Sequence, residues 1–144
     1  MGFPTTKEDI KKVIPQREPF LFVDEIVSVE GDTLTAAYTF KEGDRVFAGH
    51  FPGDPVVPGV LLVEALAQAG AYFLLSRPEN AGKNAYLLKI GEAKFKNIVR
   101  PGERLTLRVE KGRVFMNTAE CRAEALVDGK TAATCTLMCA LVNA

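Results

Sequence analysis

The chain is poor in the residues from which metal centres and secreted scaffolds are built. Its 144 residues include one histidine, His50, and three cysteines, Cys121, Cys135 and Cys139. The cysteines are odd in number, form no C-x-x-C pair and have no histidine beside them, which argues against zinc. They read as reduced core thiols. Excess charge is lacking too, since 18 basic residues balance 18 acidic ones. Without a global positive field, nucleic acid is not expected as a main partner. The opening "MGFPTTKEDIKKVIP" lacks the long apolar core of a signal peptide. Met1-Gly2 followed by Thr6 superficially fits an N-myristoylation pattern, but Pro4 interrupts it and nothing else points to a membrane. The run from Val56 to Leu75 is apolar and long, yet it carries Pro58 and Glu64. A carboxylate in mid-bilayer costs about 3 kcal/mol, so no span is expected. The chain reads as cytoplasmic.

What is present is a chain that is 47% hydrophobic and 25% charged, as in a folded soluble domain. Residues 1–144 are expected to form a single domain. Thr5 and Thr6 before Glu8 and Asp9 form a capping signal for a short helix through Val13, ended by Pro15. "FLFVDEIVSV" reads as a strand, Glu30-Gly31-Asp32 as a turn, and "TLTAAYTF" as the returning strand. Four further strand-like runs cover 85–97, 104–111, 117–127 and 131–142, with Pro101-Gly102 and Asp128-Gly129 marking turns. Several alternate cleanly, for example Leu105, Leu107 and Val109 against Arg104, Thr106, Arg108 and Glu110. Alternation belongs to an antiparallel sheet with one buried face. The helix expected from Gly59 to Ser76 is apolar all round, which marks a helix surrounded by protein. A sheet of about six strands curled around one central helix satisfies both patterns. That is the α+β hot-dog fold.

The chemistry concentrates in "GHFPGDPVVPGVLLVEALAQAGAYFLL", residues 49–75. Pro58 suits the first turn of a helix, where a missing N–H is harmless. The next N–H groups point outward unpartnered and favour partial negative charge, so Gly59 is a candidate oxyanion donor. Glu64 and Gln68 are one turn apart on one face, and the amide can hold the carboxyl in a single rotamer. Apolar surroundings favour the protonated carboxyl that a general acid needs. The imidazole of His50 suits a base near neutrality. A base at one carbon and an acid at the next define dehydration. Each residue alone has a structural reading; the combination is specific.

"GHFPGDPVVPGVLLVEALAQ" strongly resembles the signature of FabZ-type 3-hydroxyacyl-[acyl-carrier-protein] dehydratases. "PQREPFLFVDEIV", "EAKFKNIVRPGE" and "ALVDGKTAATCTLMCA" extend the resemblance over most of the chain. It implies His50 as base and Glu64 as acid, with Gly59, Phe51 and Gln68 binding or supporting substrate. It implies conversion of a (3R)-3-hydroxyacyl thioester to the trans-2-enoyl product in fatty-acid biosynthesis, with no cofactor. The implied partners are acyl carrier protein and a second copy of the chain. The dimer's sheets would join edge to edge, often within a trimer of dimers, and each site would take His50 from one chain and Glu64 from the other. The related FabA-type enzymes carry Asp where this chain has Glu64. Gln16 departs from the family's usual histidine in a P-H-R-x-P-F motif, and Lys89 and Ile98 depart as well. Chain-length preference is left open.

Two other classes fit the same fold. A hot-dog thioesterase would hydrolyse the acyl group and release free thiol. A non-catalytic acyl-binding hot-dog protein would need neither His50 nor Glu64. For the carrier, Lys94 and Lys96 alternate onto one strand face and Arg100 and Arg104 flank the next turn, an expected docking patch for an acidic protein. A solvated strand face explains the same charges equally well.

Overall fold

The computed structural model describes residues 2–144, so Met1, and with it the start of the Met1-Gly2 pattern, lies outside the described residues. A short helix α1 (Lys7–Lys11) is followed by strands β1 (Glu25–Glu30) and β2 (Thr33–Thr39), then by a single helical turn α2 (Val46–Gly49). The long helix α3 (Gly59–Leu75) leads through a 3-10 turn at Pro78–Asn80 to β3 (Lys83–Phe95), β4 (Arg104–Phe115), β5 (Thr118–Val127) and β6 (Lys130–Asn143). The strands form one six-stranded sheet in the order β1-β2-β4-β5-β6-β3, with every neighbouring pair antiparallel. The sheet packs along α3 from β2 to β3. This is the expected hot-dog architecture.

The alternating residues explain why the sheet closes on the helix. Leu105, Leu107, Val109, Cys135, Leu137 and Leu141 are buried on the inner face, against Leu62, Leu66, Ala69 and Phe73 of α3. Fully burying one such side chain stabilises by about 1.5–3 kcal/mol, so this seam dominates the fold. β5, near the middle of the sheet, contributes only the small Ala119, Cys121, Ala123 and Ala125 to it. The helix can therefore sit deep in the curl. At Gly70 the helix comes close to β5: an added Cβ would lie 3.4 Å from the Cys121 sulfur. Burial pushes the Cys121 thiol up to about 12 and Cys135 to about 11. Protonated, buried and free, all three cysteines behave as core residues.

Several local expectations need correcting. The strand expected from Phe20 begins only at Glu25. Residues 20–24 do not join the ladder at full length, because Phe20 N–H closes a turn onto Arg17 O at 2.8 Å and Phe22 N–H donates to the Gln68 side chain at 2.7 Å instead. The first helix stops at Lys11 rather than Val13, although Thr6 Oγ1 does accept from Asp9 N–H as its cap. α2 was not anticipated. Pro58 is the residue before α3 rather than within its first turn. The helix is not enclosed all round within one chain, for Val60 in its first turn is 74% exposed. The Asp128-Gly129 turn has both residues at positive φ, 50° and 77°, as a two-residue hairpin requires. No described helix is long and apolar enough to cross a membrane.

Candidate active site

α3 is preceded by Pro58, whose carbonyl accepts from Leu61 N–H at 2.9 Å and Leu62 N–H at 3.3 Å. The two N–H groups between them, of Gly59 and Val60, are the free donors that any helix start leaves. Glycine at position 59 has a reason beyond openness. An added Cβ would come within 2.8 Å of the Phe95 ring, which lies against the helix start. Phe95 pairs with the buried Ala133 and so faces inward, toward α3. The contact between Phe95 and Gly59 was not read from the sequence.

Glu64 sits one turn into the helix, partly covered, and burial raises its carboxyl above the ordinary range while the Gln68 hydrogen bond draws it back. Gln68 is 1% exposed and fully used. Its Nε2 donates to Glu64 Oε2 at 3.0 Å and to Phe20 O at 3.0 Å, while its Oε1 accepts from Phe22 N–H. The amide orientation is therefore fixed by a backbone N–H that can only donate. With Oε2 of Glu64 taken by Gln68, Oε1 is left to carry a proton toward a ligand. Gln68→Leu should orphan the Phe22 N–H and Phe20 carbonyl and destabilise the protein by about 2–5 kcal/mol in chemical denaturation. It also removes the bond that lowers Glu64, so the alkaline limb of any Glu64-dependent rate should move to higher pH.

His50 follows α2. Its Nδ1 lies 2.9 Å from Val56 O, and Val56 N–H donates back to His50 O at 3.0 Å. A carbonyl can only accept, so Nδ1 must carry the proton, and Nε2 is left with its lone pair. The imidazole is thereby set as a base through Nε2. Phe51 stacks on it, ring centroids 4.1 Å apart at 25°, and is half exposed. Among the described residues, no hydrogen bond or ion pair joins His50 to Glu64 within one chain. Gly59, Glu64 and Gln68 share one helix, whereas His50 and Phe51 belong to the loop before it.

The four expected docking cations do not form one patch. Arg100 donates to Asp54 at 2.6 Å, and Arg104 to Glu25 at 2.8 Å. Lys94 is on the outer face, in a shallow groove shared with Arg108, Arg122, Glu92, Glu110 and Glu124. Lys96 follows the end of β3, and its N–H donates to Ala132 O at 2.7 Å. Arg104, on β4, is three strands from Lys94 on β3. No group of His, Cys, Asp and Glu among the described residues is placed to hold a metal ion.

Residues 14–136 match the FabA-like domain family. The chain is 47% identical over 130 residues to a 3-hydroxyacyl-[acyl-carrier-protein] dehydratase FabZ from Ligilactobacillus salivarius, covering 90% of this chain and 93% of that one. A FabZ dehydratase from Oenococcus oeni is 43% identical over 134 residues, covering 92% and 96% of the two chains. Among solved structures, the dehydratase heterocomplex ApeI:P from Xenorhabdus doucetiae matches with a TM-score of 0.80 at 16% identity, over 99% of this chain and 93% of that one. A thioesterase from Haemophilus influenzae matches with a TM-score of 0.63 at 21% identity, over 83% and 78%. The structural likenesses establish the architecture, which dehydratases and thioesterases share. The sequence relatives separate the two.

Proposed function

The chain belongs to the FabZ-type 3-hydroxyacyl-[acyl-carrier-protein] dehydratases, and on that premise we propose that His50 is its base and Glu64 its acid. The enzyme is a hydro-lyase acting in fatty-acid biosynthesis. His50 Nε2 takes the C2 proton of the (3R)-3-hydroxyacyl thioester. Gly59 N–H steadies the charge that gathers on the thioester oxygen. Glu64 gives its proton to the C3 hydroxyl, the C–O bond breaks, and water leaves with the trans-2-enoyl product. One proton is taken and one given, so no cofactor enters the reaction. Gln68 holds Glu64 in place and Phe51 covers one face of the imidazole.

The observation that carries this reading is a base with its tautomer set by Val56 O together with a half-buried acid whose carboxyl burial shifts toward the protonated form. Both are states that dehydration uses at the start of a turn. The test is to follow enoyl formation and free thiol together on a hydroxyacyl thioester. Enoyl product without thiol release supports the dehydratase; thiol release at a comparable rate would make it a thioesterase. A non-catalytic acyl carrier would yield neither.

The acyl group and the assembly belong to the same proposal. Leu87, Ile90 and Phe95 pair with the inward-facing Cys139, Leu137 and Ala133, and all three remain 41–53% exposed. They form an apolar row that starts at Gly59 and suits a fatty chain. Among the described residues, β3 has only β6 as a neighbour, so its other edge is open to a second copy. A homodimer joined there, and a trimer of such dimers, complete the reading. Residues 1–144 act in it as a single hot-dog dehydratase domain, which one continuous core supports. A cytoplasmic location agrees with three free thiols.

For carrier docking, Lys94 and Lys96 have no acidic partner among the described ion pairs, unlike Arg100 and Arg104. Reversing both lysines to glutamate should raise KM for carrier-linked substrate about three- to tenfold. Added salt should weaken the wild-type enzyme toward that substrate similarly. A short pantetheine substrate should be little affected, and equal losses with both substrates would remove the docking role.

A further inference from the structure

The loop that carries His50 is internally rigid but narrowly attached. Phe51 and Asp54 exchange backbone bonds at 3.1 and 2.9 Å, and His50 and Val56 close the ring around them. Among the described residues, each hydrogen bond tying residues 50–57 to the rest of the protein ends on Val99 or Arg100. Val57 N–H donates to Val99 O at 2.8 Å. Arg100 Nη1 donates to Asp54 Oδ1 at 2.6 Å and to Pro55 O at 3.1 Å. The turn that holds Arg100 is itself fixed. Arg100 N–H donates to Glu103 Oε1 at 2.7 Å, and Gly102 N–H donates to the carbonyl of the buried Phe40 at 2.8 Å.

A line of contacts therefore runs from the core at Phe40, through the 100–103 turn, to Asp54 and Pro55, next in the chain to Val56, whose carbonyl orients the imidazole. We infer that Arg100 is a positioning residue for dehydration, gripping the His50 loop at Asp54 and Pro55 so that Nε2 stays in register with the substrate. The inference rests on His50 being the base. Its energetic signature is distinctive. The Arg100–Asp54 pair is half exposed on both sides, and such pairs contribute little to stability. Misplacing a catalytic group by about 1 Å can nevertheless cost up to a hundredfold in rate. The grip should matter for turnover and hardly for folding.

The experiment compares Arg100→Met and Asp54→Ala on a short pantetheine-linked hydroxyacyl substrate and on the carrier-linked one. Both variants should keep a near-normal Tm and KM and lose about tenfold in kcat, equally with the two substrates. Arg100→Lys, which offers one donor group to two acceptors, should recover part of the loss. Combining Arg100→Met with Asp54→Ala should cost little more than either change alone. In a His50→Ala background, Arg100→Met should cost nothing further, because the residue acts through the imidazole. Unchanged kcat in both single variants would overturn the inference. A loss confined to KM for carrier-linked substrate would also overturn it and assign Arg100 to docking. Should His50→Ala alone retain turnover, the base assignment fails, and that result is read independently of the Arg100 variants.

Discussion

His50→Ala and Glu64→Gln should each lower dehydration about 100-fold or more, the usual scale for losing a general base or acid. Their stabilities should diverge. Glu64 has a folded-state pKa above its ordinary value because burial penalises the charge. Below the ordinary carboxyl range the folded and unfolded chains both hold the proton, and the stability linked to Glu64 is fully present. As pH rises through the raised value, the native carboxyl must ionise in partly apolar surroundings and that stability is lost. Glutamine has the same shape and no charge to bury. Glu64→Gln should therefore match the wild type in acid and exceed its Tm at neutral and alkaline pH, while being almost inactive. Thermal melts across pH, beside enoyl formation rates, measure both effects. Near-normal turnover in either variant would remove that residue from its role.

Mixing the two inactive variants should restore activity. If each site takes His50 from one chain and Glu64 from the other, a mixed dimer has one site with both residues intact and one with neither. Random pairing after subunit exchange makes half of the dimers mixed, so about a quarter of wild-type activity should return. The single-chain geometry motivates this expectation. Among the described residues, His50 bonds only within its own loop and Glu64 only to Gln68, and the first turn of α3 leaves Val60 bare. A site built within one chain predicts no recovery. The measurement is activity against time after mixing, with exchange followed independently by mass-tagged chains. Complete exchange without recovered turnover would reject the shared site and leave the family assignment untouched.

Much of the fold could be read from local pattern because its elements are long and half-buried. Leu105, Leu107 and Val109 on β4 and Cys135, Leu137, Cys139 and Leu141 on β6 announce their inner faces by alternation alone. Glu64 and Gln68 were legible for the same reason: they are the polar breaks in an apolar helix, one turn apart. What escaped depended on partners far along the chain. Phe20 to Asp24 has the composition of a strand, but the Phe20 carbonyl and the Phe22 N–H bond to Gln68, in another element. Arg100 looks like a free surface cation until Asp54 is seen 46 residues away. Gly59 looks merely permissive until Phe95 arrives from β3. α2 is a single turn, too short for any periodicity to show.

The open edge of β3 has a consequence for the newly made chain. It is 13 residues long, and Tyr86, Leu88, Ile90 and Phe95 along it are each about half bare. An unpaired edge of that length and composition is a template for any extended chain it meets, including another unfinished copy. Lys83, Lys89 and Lys94 place repelling charges along it, which disfavours stacking in the wrong register. A lone chain is therefore exposed to aggregation through the surface that the proposed dimer would cover. In the proposed dimer, pairing at this edge would protect the protein as well as serve its chemistry, and a substitution that weakened it would first appear as lost soluble protein.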